Sequence, residues 1–550
     1  MSVETVLLLA LGAVAVTVFA HWLSDRTGAP EAALLTVLGI AYALLPGPNI
    51  TLDPHVVLTF VLPPLLYNAA LDSSLLAIRR NLRTVISLSV VLVLVTSLLI
   101  GVAFGLLVGG ATIAAGIALG AAVAPPDPVA ALAVGQRVGL PPRLITLIQG
   151  EGLLNDATAL TTLTVAVAAA KGGHFSFWSA TGEFVLSAAG GVLVGAVVAI
   201  AVRLVRPVTP DPLTTNAVSL ATPFVAYLFG ESIHVSGVLA VVVAGLVVGH
   251  DTPRSGSGAS RLQTSAVWRL VNFLLEGLVF LLIGQQLPEV IDGLHDYPAG
   301  TVAVAVVVTV GIVLVLRPLW LVLTQLLPRS LHARLGGDDD GPSDRLNARE
   351  VTVLSWSGTR GVISLAAIFT VPLTVDGGAA FPDRDLLLFC TFLVVLVTLV
   401  GQGVTFAPLV RRLGMRANEA DRVRLRNLAR SAAVKAALAR LDDLSDGEDA
   451  DELDADERRA VERVRQTLQA RLSRYQGRLD ALHDAADGEV PVSASYEAGL
   501  RVLRLVLEAE REELLRLRDV GQLPDEGLRI LERELDHEER LLPDRPFRGR

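Results

Sequence analysis

The sequence predicts an all-α membrane protein with about thirteen transmembrane crossings, on three observations. Hydrophobic residues make up 52% of its 550 positions, with a mean hydropathy of +0.55. Apolar runs recur as continuous stretches to about position 410, where the strands of a barrel would alternate, and in lipid only helices or closed barrels satisfy their own backbone. Arginine also alternates from connection to connection in the pattern that sets membrane orientation.

At about 20 apolar residues per crossing, spans fall near 5–23, 30–46, 54–71, 84–108, 111–136, 143–170, 177–204, 212–230, 234–250, 265–288, 299–327, 350–373 and 385–410. The first has Glu4 before it and Arg26 after it, the reverse of a signal peptide, and reads as a retained span. Alternate connections hold Arg26; Arg79, Arg80 and Arg83; Arg137 and Arg143; Arg203 and Arg206; Arg254 and Arg261; and Arg329, Arg334, Arg345 and Arg349. The others hold only Lys171 and Arg384 beside acids such as Glu289, Asp292 and Asp296. The expected orientation is therefore N-terminus outside and tail in the cytoplasm.

The membrane part is expected over 1–412 and a helical cytoplasmic tail over 413–550, with periodic segments near 418–441, 456–486, 495–517 and 525–542. Between the first two lies DDLSDGEDADELDADE (442–457), whose like charges favour a solvated linker and lack calcium-loop spacing. The net charge of −9 is uneven, since more than half the acids lie beyond Leu413, and no basic surface suits nucleic acid. The tail has no glycine-rich dinucleotide motif, and no cofactor is expected. Cys390, the single cysteine, sits in an apolar run and reads as an inert buried thiol.

Two spans cannot be continuous helices. Ala124-Pro125-Pro126-Asp127-Pro128 places three prolines in the fifth, removing backbone donors. Ser357-Gly358-Thr359-Arg360-Gly361 places a charge and two glycines in the twelfth. Broken helices at corresponding places in two halves point to a transporter's binding site, and these correspond if spans one to six and eight to thirteen are inverted repeats. In the sixth span, Gln149-Gly150-Glu151-Gly152-Leu153-Leu154-Asn155-Asp156 places two carboxylates and two amides in an apolar crossing. A charge in hydrocarbon is costly and persists mostly where it binds an ion or carries a proton.

Each of these residues has a plainer alternative. Asp127 caps the helix starting at Pro128, a role that coexists with function. Glu151 and Arg360 form an expected buried ion pair holding two spans together. Asn155 either bonds across helices or contacts the ion. Asp156 is left without a cationic partner, so a purely structural role explains it least. Glu276 and Arg317 are further intramembrane charges to which spacing assigns no partner. Tyr67-Asn68 form a polar pair beside the kink at Pro63-Pro64.

FVLPPLLYNAALD (60–72), AAVAPPDPVAALAV (121–134), QGEGLLNDATAL (149–160), NFLLEGLVFLLIGQQLP (272–288) and WSGTRGVISLAAIFTVP (356–372) occur in the order found in one family. The chain resembles bacterial monovalent cation/proton antiporters of the NhaP type, relatives of the eukaryotic sodium/proton exchangers. The resemblance implies a homodimer with dimerisation and core domains, elevator-like movement, and exchange of Na⁺, K⁺ or Li⁺ for H⁺ at the bacterial plasma membrane. It assigns the ion or proton to Asp156, a neutral partner role to Asn155, shaping or lining of the ion- and proton-binding site to Asp127, and pairing to Glu151 with Arg360. Asn68, Pro126, Thr158 and Glu276 become candidate lining residues. Members with a known sodium site usually carry a carboxylate at the place of Asn68, a Thr at that of Pro126, and often a Ser at that of Gly152, so oxygen ligands are fewer here.

The expected function is thus a non-enzymatic, electroneutral antiport in which proton and cation compete for Asp156. An intramembrane aspartyl protease using Asp127 and Asp156 lacks the GxGD sequence of such enzymes, and GxSG of the serine type is also missing. A membrane sensor has no need of two broken helices with buried acids, and a channel none of a titratable carboxylate at a closed site.

Overall fold

The computed structural model describes residues 3–45, 54–109, 111–171, 177–206, 211–253, 258–326, 346–375, 378–415, 419–446, 454–484 and 494–540. Arg254, Arg329, Arg334 and Arg345 lie outside the described residues, as does 447–453 of the expected acidic linker. The chain divides into two compact units, Met1–Ala417 and Asn418–Arg550. Among the described residues the regular structure is helical, with one isolated bridge between Thr374 and Ala380. Nine helical stretches among them are long and apolar enough to cross a membrane, and Glu31–Ala43 and Gly237–Asp251 are shorter apolar helices. The expected spans 212–230 and 350–373 are the helix Pro212–Ser232 and the pair Ala348–Trp356 and Val362–Phe369, which fall short of that test.

The helices of the first unit are α1 (Val3–Thr27), α2 (Glu31–Ala43), α3 (Pro54–Leu71), α4 (Leu75–Arg80), α5 (Leu82–Leu107), α6 (Ile113–Val123), α7 (Pro128–Val138) and α8 (Pro142–Ala170). They continue as α9 (Phe177–Val205), α10 (Pro212–Ser232), α11 (Gly237–Asp251), α12 (Gly258–Gln285) and α13 (Leu287–Asp292). The last are α14 (Ala299–Leu326), α15 (Ala348–Trp356), α16 (Val362–Phe369) and α17 (Arg384–Arg412). Several begin where the sequence supplies a cap: Thr112, Asp211 and Ser236 each accept from a backbone N–H three residues on. Asn347 and Glu350 form a reciprocal capping box on α15. In α3, Pro63 and Pro64 withhold donors, and the turn before them widens until Leu62 N–H bonds Val57 O.

Packing sorts the helices into two bundles. One gathers α1, α2, α3 and α9 to α12; the other gathers α5 to α8 and α14 to α17. Small residues set the closest approaches, since there is little hydrophobic drive between helices in lipid. A β-carbon on Gly284 of α12 would lie 2.6 Å from Ile40 N of α2, and one on Gly120 of α6 would lie 2.6 Å from Ser97 Cα of α5. Leu8, Leu11, Leu186 and Leu193 instead project from α1 and α9 as exposed apolar side chains, as a lipid-facing surface requires.

The second unit holds α18 (Glu419–Asp446), α19 (Ala455–Asp484), α20 (Ala494–Asp519) and α21 (Asp525–Arg540). α18 packs on α19 with Arg465 3.1 Å from Asp442, and α20 packs on α21 with Arg511 3.0 Å from Asp536 and 2.9 Å from Glu539. Val434, Leu507, Leu528 and Leu535 are buried apolar side chains of this unit.

The α2–α12 contact yields the first prediction. Gly284→Leu overpacks a backbone-to-backbone contact and destabilises by about 1–3 kcal/mol or more, read as a lower melting temperature and monodisperse yield in detergent. Gly300→Leu, where an added β-carbon meets nothing within 4 Å, leaves both in place. Equal melting of the two variants would sink the packing argument.

Candidate ion-binding site

α6 stops at Val123 because Pro125, Pro126 and Pro128 supply no N–H to extend the ladder. α7 restarts at Pro128 with Asp127 as its cap, whose Oδ1 accepts from Val129 N–H at 2.9 Å. α15 and α16 are likewise separated by residues 357–361. The two interruptions are bonded to each other: Asp127 N–H donates to Thr359 O at 2.6 Å, and Thr359 Oγ1 donates to Asp127 O at 2.9 Å. A β-carbon on Gly361 would run into the Asp127 carboxylate, so this glycine brings that acid to the start of α16 as well. Asp127 therefore sits at two positive half-helix N-termini at once.

Arg360 occupies the opposite pole. Its Nε donates to Val123 O at 2.9 Å, Nη2 to Ala124 O at 3.2 Å, and Nη1 to Gly358 O. These carbonyls are left open where α6 and α15 end, and a cation there offsets the negative ends of both half-helices. Its own N–H donates to Thr398 Oγ1 at 2.9 Å, which anchors the break to α17.

The expected pairing of Glu151 with Arg360 is corrected by this geometry. Glu151 instead forms a two-pronged ion pair with Arg317 of α14: Oε2 accepts from Nη2 at 2.9 Å, and Oε1 from Nη1. Arg317 Nε donates to Leu354 O at 2.9 Å. Both side chains are buried, Glu151 at 1% exposure and Arg317 at 3%. The physical reason is that the donors of Arg360 are taken by carbonyls that the broken helices expose. Gly358 keeps the two guanidiniums on separate tasks, since a β-carbon there would lie 2.8 Å from Arg317 Cδ and 2.9 Å from Arg360 Nη1. The available signal was a mid-span arginine with no assigned anion, but spacing along the chain gave no way to choose between two bases for one acid.

Between the bundles lies a cavity of about 340 Å³. α7, α8 and α16 form one wall, with Asp127, Gln149 and Asp156; α3 and α12 form the other, ending at Asp72, with Asn272 and Glu276. Its charged lining residues are Asp72, Asp127, Asp156 and Glu276, all acids. Asp156 is 4% exposed, and among the described residues no ion pair or hydrogen bond engages its carboxylate. Neighbouring Asn155 is buried, donating Nδ2 to Pro126 O at 2.8 Å while its Oδ1 has no partner. Gly152 admits the ring of Pro128, whose Cδ would lie 2.7 Å from an added β-carbon.

The residues singled out from sequence divide accordingly. Asp127, Asp156 and Glu276 line one cavity, and Pro126 and Asn155 brace its wall. Thr158 is buried with its hydroxyl turned to Leu154 O at 3.4 Å, and neither it nor half-buried Asn68 is among the lining residues. Asn272, Asp72 and Thr359 were passed over, although Asn272 lies one helical turn before Glu276. Among the described residues no three His, Cys, Asp or Glu side chains converge as a resident metal site.

Apolar helices around a cavity whose charged lining is wholly acidic suit a membrane transporter of cations. The family model described as "Sodium/hydrogen exchanger, transmembrane" matches residues 13–412, and the chain belongs to that family. An uncharacterised Na⁺/H⁺ exchanger of Mycobacterium tuberculosis is 34% identical over 527 residues, covering 94% of this chain and 92% of its own. The Na⁺/H⁺ antiporter ApNhaP of Aphanothece halophytica is 28% identical, covering 75% of each chain. Among solved structures, the sodium proton antiporter MjNhaP1 from Methanocaldococcus jannaschii shares the fold with a TM-score of 0.58 at 17% identity, over 75% of this chain and 98% of its own.

A stability cycle separates the two arginines. Arg317→Gln leaves Glu151 as an unpaired buried charge, a loss of about 3–5 kcal/mol, and adding Glu151→Gln recovers much of it. The same Glu151→Gln does not rescue Arg360→Gln, which leaves carbonyls rather than a carboxylate unsatisfied. Melting temperatures of the four variants in detergent decide this, and rescue of Arg360→Gln by Glu151→Gln would overturn the assignment.

Proposed function

We propose that this protein exchanges a monovalent cation, Na⁺ or alternatively K⁺ or Li⁺, for H⁺ across the bacterial plasma membrane, with both competing for Asp156. The carrying observation is the unpartnered, nearly buried Asp156 in a cavity lined by acids with no basic side chain. Each other charge at the crossing has a structural partner: Glu151 has Arg317, Asp127 has half-helix N-termini, and Arg360 has carbonyls. An uncompensated charge in a water-poor interior is costly, so the carboxylate takes a proton or a cation before the site moves. Asn155 beside it is neutral, so each cycle exchanges one charge for one.

In this reading the interruptions at 124–127 and 357–361 are the discontinuous crossings of an inverted-repeat transporter with about thirteen spans. The bundle holding Asp156 moves against the one holding α3 and α12 in an elevator-like step, within a homodimer. The N-terminus is outside and the tail cytoplasmic. Contacts join chain segments that the alternation of spans assigns to one common side: Arg137 lies 3.1 Å from Asp25, and Arg203 lies 3.7 Å from Asp251. Pro128 fills the space beside Gly152 and Asn155 occupies the Pro126 carbonyl, so neither position offers the ion an oxygen. The ion therefore keeps water, and discrimination by radius is shallow.

In proteoliposomes, Asp156→Asn abolishes cation-dependent proton flux while the protein still inserts and elutes as a folded peak; retained flux would defeat the proposal. Lowering the pH raises the apparent KM for cation, by about tenfold per unit at most for one competing proton, with Vmax at saturating cation little altered. A falling Vmax at constant KM would count against competition. Na⁺, K⁺ and Li⁺ are expected to give kcat/KM values within about tenfold of one another, a span of about 1.4 kcal/mol.

A further inference from the structure

We infer that Asn272 and Glu276 of α12 form a second cation subsite, across the cavity from Asp156, that stages the ion on one side of the membrane only. The inference rests on the exchange reading and adds a residue pair and a sidedness to it. The two residues lie four apart on one helix, hence on one face, and both line the cavity. Asn272 Oδ1 is buried with no hydrogen-bond partner. A desolvated amide oxygen without a donor is costly, and an alkali cation supplies what it lacks. Beside it, no ion pair or hydrogen bond engages Glu276 among the described residues, and no basic side chain lines the cavity to neutralise it. A neutral oxygen and a carboxylate together suit a hard, partly hydrated monovalent ion rather than a soft metal.

Position gives the subsite its sidedness. α12 packs on α1, α2 and α10, whereas α8, which carries Asp156, packs on α5, α6 and α7. Glu276 and Asp156 therefore belong to opposite walls. The cavity runs to Asp72 and Ser73 at the end of α3, just before Arg79 and Arg80 of α4, the side assigned to the cytoplasm. An ion entering there meets oxygens from both walls, and an ion arriving after the bundles have shifted meets Asp156 without α12.

The test is exchange by the full-length protein, with Na⁺ varied at the cytoplasmic face in everted vesicles and at the outer face in right-side-out vesicles. Glu276→Gln and Asn272→Ala are expected to raise apparent KM about five- to tenfold from the cytoplasmic face and less than twofold from the outer face. Vmax at saturating Na⁺ stays within about twofold, and Glu276→Asp recovers part of the loss. Should Glu276→Gln misfold by size-exclusion chromatography, Asn272→Ala and Glu276→Asp carry the same comparison. An unaltered KM, an equal rise on both faces, or a collapse of Vmax like that of Asp156→Asn would each overturn the subsite while exchange by the wild type stands. Absence of exchange in the wild type would overturn the parent reading and this inference with it.

Discussion

The contact on which the membrane unit depends is the pair of hydrogen bonds between Asp127 and Thr359, which fastens two broken helices together at their breaks. Breaking a helix in lipid frees backbone groups that only protein can satisfy. Four half-helix ends meet here, each worth about half an elementary charge by the dipole argument. Two N-terminal ends sum to about one positive charge, which Asp127 matches; two C-terminal ends sum to about one negative charge, which Arg360 matches. Both side chains are thereby committed to the architecture. Their charges hold the crossing together.

Glu151 and Arg317 show why a buried pair is retained at such a place. Such a pair adds little net stability over well-packed apolar groups, yet here it fixes position. Arg317 reaches Glu151 on α8 and Leu354 O at the end of α15 with one guanidinium, so three helices share a single planar group. Asp156 lies five residues beyond Glu151 on the same helix. The pair therefore sets the depth and rotation at which α8 presents Asp156 to the cavity.

Much of this was legible in the chain. Three prolines in five residues dictate the first break, and Gly358, Arg360 and Gly361 the second. Asp156 was identifiable because a carboxylate inside an apolar run demands a reason. Partner choice was not legible, because Arg317 and Arg360 are both mid-span bases and their separation from Glu151 in sequence says nothing of distance through space. The deciding fact was the appetite of opened carbonyls for a cation, which appears only once α6 and α15 end side by side. Asn272 was missed for a related reason: an asparagine in a crossing usually bonds a neighbouring helix, and nothing in sequence reveals that its oxygen lacks a partner. Thr158 turns its hydroxyl toward the preceding turn, at Leu154 O, as hydroxyls in helices commonly do.

The identity of residue 155 follows from the same crossing. Asn155 Nδ2 donates to Pro126 O, a carbonyl stranded by the prolines that break the fifth span. An ionised carboxylate at 155 has no proton to donate; it would turn one oxygen toward another and leave the Pro126 carbonyl without its donor. The break thus requires a neutral donor beside Asp156. A second acid at that position would add charge to the site and at the same time loosen the backbone that shapes it. The charge of residue 155 and the geometry of the broken helix are therefore one constraint, expressed once in the backbone at Pro126 and once in the side chain at Asn155.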